Sequence, residues 1–346
     1  MELGFWKTLE KPIVGLSPMD GVTDEPFRFI TKKYGNPDVT FTEFSNVIGI
    51  ARGSVKLLEP YIYKESERPI VAQMFGKTPS DFYTVSVLLC TLGFDGIDIN
   101  MGCPSKSVSG HGAGAGLIQT PKLVLEIIAS CKKGVSDWVN GIEIDSLPLP
   151  KKIIDHVFLM QKSHPDIQRR YIPVSVKTRL GYDRPIIETW IPQLLEAEPA
   201  VISLHGRTLK EMYKGKANWE EIAKAAGIVH KTDTIILGNG DVQNRLDAEK
   251  RAKKYHVDGV LIGRAALGNP WVFSKERHAF IKNERFRIAL EHTKYFVKLR
   301  GEKRLFEMRK YWGAYIKGFD GARELRLKLM AVSSLVETES LLSIKK

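Results

Sequence analysis

An alternation constrains this chain more than any other feature. Eight short β-branched or apolar runs, at residues 13–16, 39–41, 70–73, 96–99, 174–176, 201–204, 234–237 and 259–262, recur with longer patterns between them. The intervening stretches, 81–92, 121–133, 219–230 and 243–255 among them, place apolar residues at helical spacing, and several have Pro or Asp near the start, as helix openings prefer. Eight strand-helix units within the first 275 or so of 346 residues match an α/β chain folded as a (β/α)8 TIM barrel, for which about 250 residues is typical. Alternation alone also fits an open, doubly wound sheet.

The polar residues favour the barrel. Nearly every run ends in groups able to bind or react: Ser17 to Asp20, Thr42-Glu43, Gln73, Asn100 to Cys103, Lys177 to Arg179, His205 to Thr208, Asn239 to Asp241, and Gly263-Arg264. In a barrel these converge on the C-terminal mouth, where such enzymes keep their sites. In an open sheet they would not all meet. Gly238 to Asp241 and Gly263-Arg264, the latter opening an expected helix at 265–267, follow the last two strands, where barrels hold phosphate. Tight βα turns would need the same glycines.

Cys90 and Cys131 fall in apolar helical patterns and read as core, which leaves Cys103 on a loop between Gly102 and Pro104. Three widely spaced cysteines fit neither a disulfide framework nor a zinc-ligand pattern, and no metal is expected. The small-residue run 109–116 after Cys103 is expected to be mobile, shaping a pocket or closing over one.

Residues 134–171 are too long for a simple connection and are expected to form an insertion near the active face or rim, with a helix at 153–161. Beyond Trp271 the strand pattern stops, and 285–299, 302–315 and 321–336 read as packed helices. The formal charge is +12, and residues 277–346 hold 17 Lys and Arg against eight Asp and Glu. A surplus so concentrated fits a solvated surface or a nucleic-acid footprint. No apolar run approaches the roughly 20 residues of a membrane span, and the first residues lack a signal peptide's apolar core, so a cytoplasmic protein with no membrane partner is expected.

Seven motifs in order, Leu16 to Asp24, Gln73 to Gly76, Asp98 to Pro104, Val176 to Gly181, His205 to Thr208, Gly238 to Asp241 and Ile262 to Pro270, resemble those of the flavin-dependent tRNA-dihydrouridine synthases. Arg309-Lys310, Lys317 to Phe319 and Gly321 to Arg326 extend the resemblance into the tail. It implies an FMN-binding TIM barrel over residues 1–275 and a smaller all-helical tRNA-binding domain over 276–346, acting as a monomer. It further implies reduction of the C5–C6 double bond of particular uridines, with NADPH or NADH as reductant. Lys177 and His205 match flavin-contacting positions, Gln73 would bond the isoalloxazine edge, and Pro18, Met19 and Asp20 would add backbone and apolar contact. Asn239, Gly240, Asp241, Gly263 and Arg264 would take the ribityl chain and phosphate.

Cys103 then becomes the general acid for C5, after hydride reaches C6 from the other face. Asn100, Arg179 and Arg207 would meet the substrate base, flipped out of its stack to reach the flavin. Lys310, Lys317, Arg323 and Arg326 would grip tRNA phosphates, with the interleaved Tyr311, Trp312, Tyr315 and Phe319 divided between core packing and nucleotide stacking. Two departures from the family pattern are the 134–171 stretch, longer than in usual members, and Glu211, where Gln is common.

Overall fold

A computed structural model describes residues 2–164, 166–276 and 281–343. The expected second domain, 276–346, thus includes residues 277–280 and 344–346, which lie outside the described part. Eight parallel strands are hydrogen-bonded in the order β1-β8-β7-β6-β5-β4-β3-β2. They are β1 Ile13–Leu16, β2 Thr40–Asn46, β3 Ile70–Phe75, β4 Gly96–Met101, β5 Val174–Arg179, β6 Val201–His205, β7 Ile235–Asn239 and β8 Gly259–Ile262. Leu16 N donates to Val39 O and Asp38 N to Val14 O, which joins β1 to the start of β2 and closes the ring. The open-sheet alternative is thereby removed. Six strands run past the expected ends, so Asn100, Lys177, Arg179, His205 and Asn239 are strand residues held by ladder bonds.

Helices α1 Glu25–Gly35, α2 Val47–Ala51 and α3 Pro79–Thr91 follow the first three strands. The first shows how local sequence sets a boundary: Asp24 accepts from Phe27 N, Pro26 sits in the first turn, and Asn36 ends the helix in the left-handed conformation. After β4 come α4 Lys106–Ser109, α5 Pro121–Val139 and α6 Lys151–Gln161, then α7 Ile187–Leu195, α8 Trp219–Val229 and α9 Arg245–Tyr255 after β5, β6 and β7. The expected helix at 265–267 is only a 3-10 turn, Arg264–Ala266, because Leu267 is already extended. It therefore has no helix N-terminus to offer an anion.

The tail packs as α10 Lys282–Arg300, α11 Arg309–Tyr315, α12 Ala322–Ala331 and α13 Leu335–Leu342. One helix expected over 321–336 is two, since Val332 is extended and Ser334 caps α13 by accepting from Glu337 N. Helix α10 lies on α1, and Tyr311 donates to Val22 O at 2.6 Å, which docks the tail beside the loop after β1. No described helix is long and apolar enough to cross a membrane.

Strand side chains alternate between the barrel lumen and the helices. Val174 and Val176 face outward into the main apolar core, while Ser175, Lys177 and Arg179 take the other face. The lumen is layered. Trp6, Ile13, Phe41, Val71, Val201, Ile235, Leu237 and Leu261 form a separate apolar cluster, and above it lie buried Gln73, Asp98, Asn100, Ser175, Lys177, Ser203, His205 and Asn239.

Two expectations about loops are overturned. None of the described residues of 134–171 lines the cavity at the mouth, and Pro150 and Lys152, at the start of α6, pack on Gly53 on the outer side of the barrel. Helix α5 descends the barrel wall to Val139, and its sequel is tied to groups that precede strands: His164 Nδ1 is 2.6 Å from Glu65 Oε1, and Arg170 pairs with Asp95 at 2.9 Å. Arg169 bonds Trp138 O and Glu143. A segment joining a helix to the next strand must start and finish at that end, whatever its course between. The run 109–116 is also no free lid, since Ala113 to Gly116 are buried and Ala115 N donates to Cys103 O at 3.2 Å.

Candidate active site

One cavity of about 770 Å³ opens at the C-terminal mouth. Pro18, Met19 and Asp20 line it from the loop after β1, Gln73 from β3, and Asn100 and Cys103 from β4 and its loop. Lys177 and Arg179 come from β5, His205 and Arg207 from β6, Asn239, Gly240 and Asp241 from β7, and Gly263 and Arg264 from the turn after β8. Residues separated by up to 246 positions thus share one space because parallel strands present all their C-terminal ends together.

Cys103 is half-buried, with its backbone held on both sides. Its N–H and that of Gly102 donate to Asn100 Oδ1 at 2.9 and 3.0 Å, and Arg179 Nε donates to Gly102 O at 2.6 Å. Gly114 packs closely enough that a Cβ there would lie 3.2 Å from Cys103 Cβ, and its positive φ suits glycine. Burial pushes the Cys103 thiol up, against a smaller lowering by the Ser105 backbone. The group is therefore kept as a thiol, the proton-bearing form.

Lys177 is 9% exposed and has no hydrogen-bond or ion-pair partner among the described residues. Burial, helped by Arg179, lowers its ammonium to about 8, with Asp98 opposing. A buried cation is costly unless it is paired. Its place on the cavity wall leaves room for an anionic or strongly accepting ligand. His205 is held well below its ordinary range by burial and by Lys177, Arg179, Arg207 and Arg264. It is neutral, and because a guanidinium only donates, its Nε2 accepts from Arg207 Nη1 at 3.1 Å.

The two inner arginines differ from expectation. Arg207 is 2% exposed and donates to Lys214 O, Gly215 O, Asp241 and His205, so it braces the loop after β6. Arg179, also 2% exposed, spans Gly102 O, Thr208 O and Met212 O. Both guanidiniums are engaged because the loops after β4 and β6 turn carbonyls toward them. Glu211 turns back on its own loop, accepting from Thr208 N at 2.6 Å.

At the other end, Asp241 accepts from Arg207, Ala217 N and Arg264. Burial would raise its carboxyl, but these bonds win and it is lowered. Gly240 has φ +130°, and a Cβ there would come within 2.6 Å of Ala217 Cβ. Arg264 remains largely exposed beside it.

In the tail, Lys310, Lys317 and Arg323 are exposed, while Arg326 Nη1 donates to Ile316 O at 2.7 Å. Lys310 Nζ lies 3.9 Å from Asp24, next to the mouth. Tyr311, Trp312 and Tyr315 are fully buried and Phe319 packs on Phe286, so these aromatics are core, not stacking platforms. Helical spacing did not separate those roles. Two residues that sequence reasoning passed over are Tyr213, exposed at the rim with Arg179 and Arg264 near its ring, and Asp98, buried beneath Gln73. The signal for Asp98 was available: a charged residue at an inward strand position.

The family model described as Dihydrouridine synthase matches residues 15–141 and 150–346. The chain belongs to that family. Only residues 142–149 fall between the matched segments. Among relatives, a probable tRNA-dihydrouridine synthase of Staphylococcus epidermidis is 34% identical over 349 residues, 99% of this chain and 96% of the relative. A probable tRNA-dihydrouridine synthase 2 of Bacillus subtilis is 34% identical over 353 residues, with 99% and 96% covered. A morphinone reductase variant in complex with tetrahydroNAD aligns at TM-score 0.43 and 11% identity over 78% of this chain and 87% of that one, a likeness too slight to build on.

Proposed function

We propose that this dihydrouridine synthase reduces the C5–C6 double bond of particular uridines in tRNA, with FMN as cofactor and NADPH or NADH as reductant. The observation that carries the reading is the juxtaposition, around one cavity, of a protonated half-buried thiol and an unpaired buried ammonium. The donor set fits a flavin. Lys177 would meet the electron-rich pyrimidine side of the ring, with His205 and Gln73 on its polar edge. Pro18, Met19 and Asp20 would flank it, and Asn239, Gly240, Asp241, Gly263 and Arg264 would hold the ribityl phosphate.

FMN, held by these residues, would supply the hydride for uracil C6, with NADPH or NADH as the source of its electrons. Cys103 gives its thiol proton to C5, and the raised pKa keeps that proton in place until it is needed. Asn100 orients the uracil edge, and Arg179 positions the Cys103 loop from beneath. The base enters flipped, at a cost of a few kcal/mol in unstacking. Lys310, Lys317, Arg323 and Arg326 hold phosphates, and the chain acts as a monomer in the cytoplasm. The test is incubation of purified protein with FMN, NADPH and tRNA from cells lacking its product, with dihydrouridine mapped by position. Formation at discrete positions is expected; turnover of free uracil or orotate in preference to tRNA would overturn the reading.

A further inference from the structure

Asp98 lies in β4 at zero exposure, two residues below Asn100, and touches no part of the cavity. Its carboxylate accepts from Gln73 Nε2 at 2.6 Å and from Ser175 Oγ at 2.8 Å. Gln73 Oε1 in turn accepts from Asn100 Nδ2 at 2.9 Å, and Asn100 Oδ1 accepts from the backbone N–H of Gly102 and Cys103. The direction of this chain is set from its far end. Two backbone N–H groups can only donate, so Asn100 must show them its oxygen and Gln73 its amide NH2. Gln73 must then turn its oxygen to Asn100 and its own NH2 inward, where only an acceptor will serve.

We propose that Asp98 is a positioning residue: as terminal acceptor of the Asp98–Gln73–Asn100 relay, it fixes which atoms both amides present to the cavity and holds the Cys103 loop. The reading rests on the proposed function for its catalytic consequence, but the relay itself does not depend on it. A carboxylate here is the group that burial disfavours most, and burial does raise Asp98, to about 6. A neutral amide at this position would leave the direction intact, because Ser175 Oγ, which also reaches Ile97 O at 3.1 Å, can accept from the new NH2. A methyl group would not.

Full-length holoenzyme carrying Asp98→Ala or Asp98→Asn separates direction from charge. Cys90 and Cys131 are buried, so alkylation of native protein by iodoacetamide reports on Cys103. Asp98→Ala is expected to change that alkylation rate severalfold and to lower kcat on tRNA about tenfold or more with KM unchanged, whereas Asp98→Asn stays within about threefold on both. Wild-type alkylation in Asp98→Ala, or equal losses in the two variants, would overturn the relay. A second arm does not need the alanine variant to fold. Asn100→Asp sets a carboxylate oxygen against Gln73 Oε1; adding Asp98→Asn allows Gln73 to turn over with every bond paired in reverse. The double variant is expected to melt above Asn100→Asp alone, although Asp98→Asn gives no gain by itself, a change of sign diagnostic of coupling. A double variant melting at or below Asn100→Asp refutes the proposal. If wild-type protein forms no dihydrouridine, the functional reading fails, while alkylation and melting still judge the relay.

Discussion

Cys103 and Lys177 make opposite demands on one cavity. In the proposed reaction the thiol must keep its proton, and burial favours the neutral form; the ammonium must keep its charge, and burial works against it. Replacing Cys103 by Ala is expected to leave flavin bound while tRNA reduction falls by about 10²–10⁴-fold, the usual contribution of a positioned acid, as measured by single-turnover reoxidation of the reduced protein. Replacing Lys177 by Met is expected to weaken FMN binding by about 10–100-fold, since a charge-assisted bond contributes roughly 1.5–3 kcal/mol. The pH dependence follows from the sign of the shift. A lysine lowered to about 8 is charged below that pH and neutral above it, so wild-type affinity should fall as pH rises past 8. Lys177→Met should show no such fall in a fluorescence titration between pH 7 and 9.

Among elements, the segment from 134 to 171 changes meaning most between sequence and structure. Its helix α6 buries Ile153 and Val157 and contributes no residue to the lining of the mouth cavity. Ile153→Ala is expected to cost about 2–4 kcal/mol of stability by removing buried methylenes and leaving a cavity. Chemical denaturation should register that loss while kcat on tRNA stays unchanged; a drop in kcat at full occupancy would place the segment in the active face after all. The eight strands and most barrel helices were legible in sequence because period-2 and period-3.6 apolar patterns are local. The break at Val332 was not, since a Ser N-cap inside an apolar run looks like one more polar helix position.

For the whole molecule, the +12 charge and its concentration in the tail make salt the sharpest probe. If exposed Lys317 and Arg323 each neutralise a phosphate, the double alanine variant should lower the slope of log affinity against log salt by roughly 1.5, and weaken binding to all tRNAs alike. A filter-binding series from about 50 to 300 mM salt would expose a flat response as disproof. The docking of Tyr311 on the loop after β1 brings this basic surface beside the mouth.

Sequence by itself determined the strand count, the family, and which residues have reactive chemistry, because all of these are written in local spacing and side-chain type. Closure of the ring, the burial of Tyr311, Trp312 and Tyr315, the engagement of Arg179 and Arg207 by carbonyls of the surrounding loops, and the relay ending at Asp98 were decided only by tertiary structure. Each depends on what a group meets across the fold, and a donor's partner is a property of three-dimensional packing that no stretch of neighbouring residues contains.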